Sequence, residues 1–75
     1  MKLDEFVSAF ADQFEETESS QISASTVFHD LEEWSSLTGM GVIALAKMQY
    51  GKTITGKEIR SCDTVEDLFK LIQSK

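Results

Sequence analysis

The chain has 75 residues, with thirteen Asp and Glu against seven Lys and Arg and a formal net charge of −6. That length holds one domain, residues 1–75, around one modest core. At ~0.05 to 0.15 kcal/mol per residue its stability is roughly 4 to 11 kcal/mol, too little to support a deep enclosed substrate cavity. The acids are uneven: the formal charge is −8 through Glu33 and +2 from Trp34 onward. This balance disfavours nucleic acid, for which no basic stripe is present, and favours a protein partner with a basic docking face.

Cys62 is the only cysteine, so neither an internal disulfide nor a cysteine metal cluster can form. The segment from Met1 to Phe14 mixes acids with apolar residues and lacks the basic start and long apolar run of a signal peptide. No run approaches the ~18 apolar residues of a membrane span, so no stable membrane insertion is expected. The expectation is a cytoplasmic monomer.

Leu3, Phe6, Val7, Phe10 and Phe14 recur at spacings of three and four and predict a first helix with one buried face, ending between Glu15 and Glu18. Thr17 to Thr26 is rich in serine and threonine and weakly periodic. It reads as a long polar connection with one irregular helical turn, pinned by Ile22. Val27, Phe28 and Leu31 form a second anchor. A connection of this length in a small bundle points to function or mobility.

Leu37 to Tyr50 predicts the second helix, with Gly51 as its C-terminal cap. Two buried stripes are possible on it, one through Met40, Ile43, Ala46 and Tyr50, the other through Leu37, Gly41, Ala44 and Met48. Lys52 to Thr55 reads as a loop with Ile54 turned inward, since no second strand is available to pair with it. Gly56 to Ser61 holds a short helical segment anchored by Ile59. Thr64 caps the last helix, whose core face is Val65, Leu68, Phe69 and Ile72. The expected architecture is all-α: three main helices, a short fourth and a long first connection.

Two serines stand where the acidic half meets the apolar second helix. Ser35 suits an N-cap, which places Ser36 in the first turn with its hydroxyl near free backbone N–H groups. An anionic group attached there would meet a favourable field. His29 is the only histidine and no Gly-x-Ser-x-Gly elbow exists, so Ser36 lacks the partners of an activated nucleophile, and the chain does not read as an enzyme.

Taken together, Trp34-Ser35-Ser36-Leu37, Tyr50-Gly51, Ile54-Thr55, Glu58-Ile59 and Thr64-Val65-Glu66-Asp67-Leu68 resemble the acyl carrier protein family over essentially the whole chain. The order and spacing of these pieces carry the likeness. The resemblance implies an acyl-carrier-like bundle whose Ser36 receives a covalent 4′-phosphopantetheine arm from coenzyme A. It implies a phosphopantetheinyl transferase as one partner, and acyl-loading, modifying or transferring enzymes as others, with cargo held as a thioester.

The chain departs from the family pattern twice. Ser35 stands where aspartate is expected, keeping a cap but losing a charge. The second helix has no Asp or Glu from Leu37 through Tyr50, so a partner relying on matched charge there should bind weakly. These departures point to a specialised carrier with dedicated partners in place of the central fatty-acid carrier. The competing expectation is an interaction module that keeps the carrier fold without cargo. Trp34 reads as an anchor for the Ser36 loop, His29 as a satisfied local hydrogen bond and Cys62 as a packed thiol. Met40 and Met48 fit either core packing or an adaptable surface.

Overall fold

A computed structural model describes residues 2–75; Met1, the first residue of the expected domain, lies outside the described residues. Four α-helices form an all-α bundle: α1 (Leu3–Ala11), α2 (Ser36–Tyr50), α3 (Gly56–Arg60) and α4 (Val65–Gln73). Single 3₁₀ turns at Ser19–Gln21 and Phe28–Asp30 interrupt the long first connection. Helix α1 packs on α4 and α2, and α2 packs on α3.

The spacing of apolar residues explains α1 and α4. Phe6 and Phe10 face Val65, Leu68, Phe69 and Ile72, all buried, and the Phe6 and Phe69 rings lie 5.6 Å apart. Side-chain caps set the starts of α3 and α4. Thr55 Oγ1 accepts from the Glu58 N–H at 3.1 Å and Thr64 Oγ1 from the Asp67 N–H at 3.1 Å, each reciprocated by the acid. Gly51 ends α2 at φ 65°, a left-handed conformation that glycine adopts without a Cβ clash. The N–H groups of Gly51 and Lys52 then collect the Lys47 and Ala46 carbonyls.

Three expectations are corrected. First, α1 stops at Ala11, several residues early. Gln13 and Phe14 tighten onto the Phe10 and Ala11 carbonyls, and Phe14 stays buried against Phe10. The amides of Glu15 to Thr17, which a longer helix would use internally, bind the Glu33 carboxylate. Second, Val27 is 41 % exposed, leaving Phe28 and Leu31 as the anchors, while the Val27 backbone makes an isolated antiparallel bridge with Thr64.

Third, neither proposed stripe of α2 is its buried face. Gly39, Val42, Leu45 and Ala46 are buried, whereas Leu37, Met40 and Met48 are among the most exposed large apolar residues. Helix α2 is apolar on nearly every side, so its pattern carries no phase; contact with α1 and α3 sets its rotation.

The first connection is tied down more firmly than Ile22 alone would manage. Ile22 is buried, and the Ala24 and Thr26 carbonyls accept from the Glu66 and Val65 N–H groups at 2.9 and 3.1 Å. These bonds satisfy amides that the first turn of α4 leaves without internal partners.

Candidate functional site

Ser36 is the first residue of α2, and its side chain is exposed. Ser35 is the N-cap: its Oγ accepts from the Thr38 N–H at 3.4 Å, and its carbonyl accepts from the Gly39 N–H at 2.9 Å. The side-chain cap is longer than those of α3 and α4 and correspondingly weaker. No acid lies in the first turn of α2, and among the described residues the Ser36 and Leu37 amides have no protein acceptor. The mouth of α2 therefore has unused donors and the positive end of a helix dipole with no acid in its own first turn, while Glu15 and Glu33 line the depression beside Leu37 and Thr38.

Aromatic packing fixes the loop leading to Ser36. Trp34 lies 4.8 Å from Phe28 edge to face, and is stacked on Phe10 at 6.1 Å with an interplanar angle of 13°. Its ring also borders Gly39, where a Cβ would come within 3.7 Å of it, so the indole lies against the first turn of α2. This is the anchoring role expected from sequence.

Glu33 supplies the second fixing point, one the sequence did not reveal. Its carboxylate accepts from the backbone N–H groups of Glu15, Glu16 and Thr17 and from the Thr17 hydroxyl, at 2.7 to 3.2 Å. The Thr17 hydroxyl first, then these amides, hold the carboxyl below the usual carboxylate range. The Glu33 carbonyl in turn accepts from the Thr38 hydroxyl at 3.1 Å, joining the segment that follows α1 to the start of α2.

His29 Nε2 lies 3.0 Å from the Cys62 carbonyl and 3.2 Å from that of Ile59. Carbonyls only accept, so Nε2 bears the hydrogen, and the ring bolts the second 3₁₀ turn to the end of α3. His29 is thus hydrogen-bonded as expected, but to carbonyls 30 and 33 residues away and not to a local partner. Cys62 is buried, and burial pushes its thiol above the ordinary range, as expected of a packed cysteine.

Ser36 opens onto a cleft of about 390 Å³ between the Ser36 loop, α2 and α3. Trp34, Met40, Ile43 and Ile59 give it apolar walls, and Arg60 brings the one formally charged side chain. Ile59 was expected only as a core anchor, and Arg60 was not singled out; neither carries a local signal, because the cleft forms only when α3 folds back on α2. Among the described residues, no group of three His, Cys, Asp or Glu side chains is placed to hold a metal. No described helix is long and apolar enough to cross a membrane. The site offers an accessible hydroxyl, free amides beside it and an apolar surface leading away, with no acid-base pair assembled on the hydroxyl.

No protein-family model, no curated protein and no solved structure matches the chain. The family likeness consequently rests on the order and spacing of the residues.

Proposed function

We propose that the chain carries acyl or related thioester intermediates on a 4′-phosphopantetheine arm attached to Ser36, serving dedicated biosynthetic enzymes. The observation that carries this reading is the exposed Ser36 hydroxyl at the first position of α2, beside two amides with no protein acceptor. Attachment joins Ser36 Oγ to phosphorus, breaks the pyrophosphate bond of coenzyme A, releases adenosine 3′,5′-bisphosphate and frees the serine proton. The transferase supplies the base, which agrees with the lack of one beside Ser36. The chain's own part is to present the hydroxyl, to leave amides facing a bound phosphate and to hold the loop rigid through Trp34 and Glu33. When bound, the arm supplies a terminal thiol that holds cargo as a thioester.

Incubation with coenzyme A, Mg²⁺ and a panel of phosphopantetheinyl transferases should add one phosphopantetheine to the wild type and none to Ser36→Ala, read by intact mass. Addition at Ser35 would keep the class and overturn the site. No addition by any member of the panel would contradict the carrier reading.

The exposed apolar residues of α2 favour a second reading, an interaction module without cargo. That reading predicts partner binding indifferent to Ser36→Ala and to the presence of the arm.

A further inference from the structure

The depressions on the two sides of the Ser35–Ser36 junction differ in charge. Toward α1, a depression of about 270 Å³ is lined by Glu15 and Glu33 together with Leu37 and Thr38. Toward α3, the cleft of about 390 Å³ has no carboxylate in its lining, and Arg60 is its one formally charged side chain. Glu58, the one acid of α3, is turned to Lys75 at 2.6 Å and to the Thr55 amide at 3.0 Å. Among the described residues Arg60 has no ion-pair partner. A group carried on the Ser36 hydroxyl therefore meets carboxylates on one side and a lone guanidinium on the other.

The walls of the cleft, Trp34, Met40, Ile43 and Ile59, are apolar, and its volume is at the small end of the roughly 300 to 1,000 Å³ of small-molecule pockets, so it suits a short chain. Arg60 is exposed at its margin, and its Nη1 lies 3.5 Å from where a Cβ on Gly56 would be, so the guanidinium leans back over the first residue of α3. His29 adds no free donor through Nε2, which is engaged with the Ile59 and Cys62 carbonyls. An apolar cleft edged by one guanidinium matches a chain that is apolar along its length and anionic at its tip, because the planar fork of arginine pairs with both oxygens of a carboxylate. A neutral tip would leave that cation unused, and a cationic tip would be repelled.

We infer that the cleft takes a short acyl cargo with a carboxylate at the end remote from its thioester, and that Arg60 is the residue that selects it. The inference rests on the carrier reading above. On a chain of net charge −6 an anionic cargo is repelled by most of the surface, Glu15 and Glu33 included, and the α3 side supplies the local counter-charge.

Trp34 is the only tryptophan and lines the cleft, so quenching of its fluorescence by neutral acrylamide reads whether cargo covers it. A transferase of the panel loads Ser36 from coenzyme A analogues that carry hexanoyl, adipoyl or amine-ended aminohexanoyl cargo through an unreactive amide. Wild type, Arg60→Gln and Arg60→Glu are compared; Arg60 is exposed, and circular dichroism checks that each variant is folded. In wild type the adipoyl form should be quenched about two-fold less than the hexanoyl form, since a charge-assisted pair at an exposed margin raises occupancy by roughly two- to five-fold. The difference should shrink in about 0.5 M salt. It should vanish in Arg60→Gln and pass to the aminohexanoyl cargo in Arg60→Glu, an exchange that a merely structural role of Arg60 would not produce. An adipoyl preference that persists in Arg60→Gln overturns the inference. So does an Arg60→Gln effect as large on the arm without cargo, which would assign the guanidinium to the phosphodiester of the arm. Wild type that no transferase modifies refutes the carrier reading itself; wild type loaded with all three cargoes and quenched equally in each refutes only the selection by Arg60.

Discussion

Glu33 illustrates how one side chain sets the position of a site it does not enter. Its carboxylate gathers three amides and a hydroxyl from the segment that follows α1, while its carbonyl holds Thr38 in the first turn of α2. Because the folded state keeps this carboxyl below its unfolded value, its contribution is present above the unfolded pKa of about 4.3 and is lost as pH falls through the lower folded value. Glu58, held down by Lys75, and Asp67, held down by the Thr64 amide, act in the same direction. Trp34 is the only tryptophan and packs beside this junction, so its fluorescence reports the transition. Glu33→Gln should be less stable than wild type at pH 7, and its stability should fall less steeply below about pH 4. An unchanged acid slope would show that Glu33 does not tie the loop. Nothing local in the sequence announced this contact: its partners lie 16 to 18 residues away, and all but the Thr17 hydroxyl are backbone groups, which leave no mark on residue type.

Among the elements, α1 and α4 were legible because their apolar residues recur on one face with polar residues opposite, and the starts of α2 and α4 were legible because Ser35 and Thr64 are capping residues. The rotation of α2 was not, because a helix apolar on all sides packs equally well by pattern in several orientations. The same ambiguity hid the exposed apolar face of α2, whose residues had been candidates for the core. Its glycines give a direct test of the helix as placed. A Cβ on Gly41 would come 2.8 Å from Gln13 Oε1, the mobile end of a side chain that can move aside. Gly41→Ala should therefore stabilise by about 0.5 to 1 kcal/mol, raising Tm by roughly 2 to 8 °C. Gly51→Ala, at φ 65°, should destabilise by about 1 kcal/mol. A lowered Tm for Gly41→Ala would mean that α1 and α2 approach more tightly than the structure has them.

At the scale of the molecule, charge is divided between two regions. The acids through Glu33 cover α1 and the first connection, whereas the exposed apolar residues of α2 follow the candidate attachment point. The two halves are joined by hydrogen bonds, from the Val65 and Glu66 amides of α4 to the Thr26 and Ala24 carbonyls and from the Thr38 hydroxyl to the Glu33 carbonyl. The Ser36 hydroxyl thus projects from a fixed frame while its surroundings remain open, an arrangement suited to carrying a group that other proteins act on. The most direct measurement is peptide mapping by mass spectrometry of the chain purified from its own cells. A carrier predicts one phosphopantetheine on the peptide containing Ser36, with or without cargo on its thiol. A fully unmodified Ser36 in that preparation would contradict it.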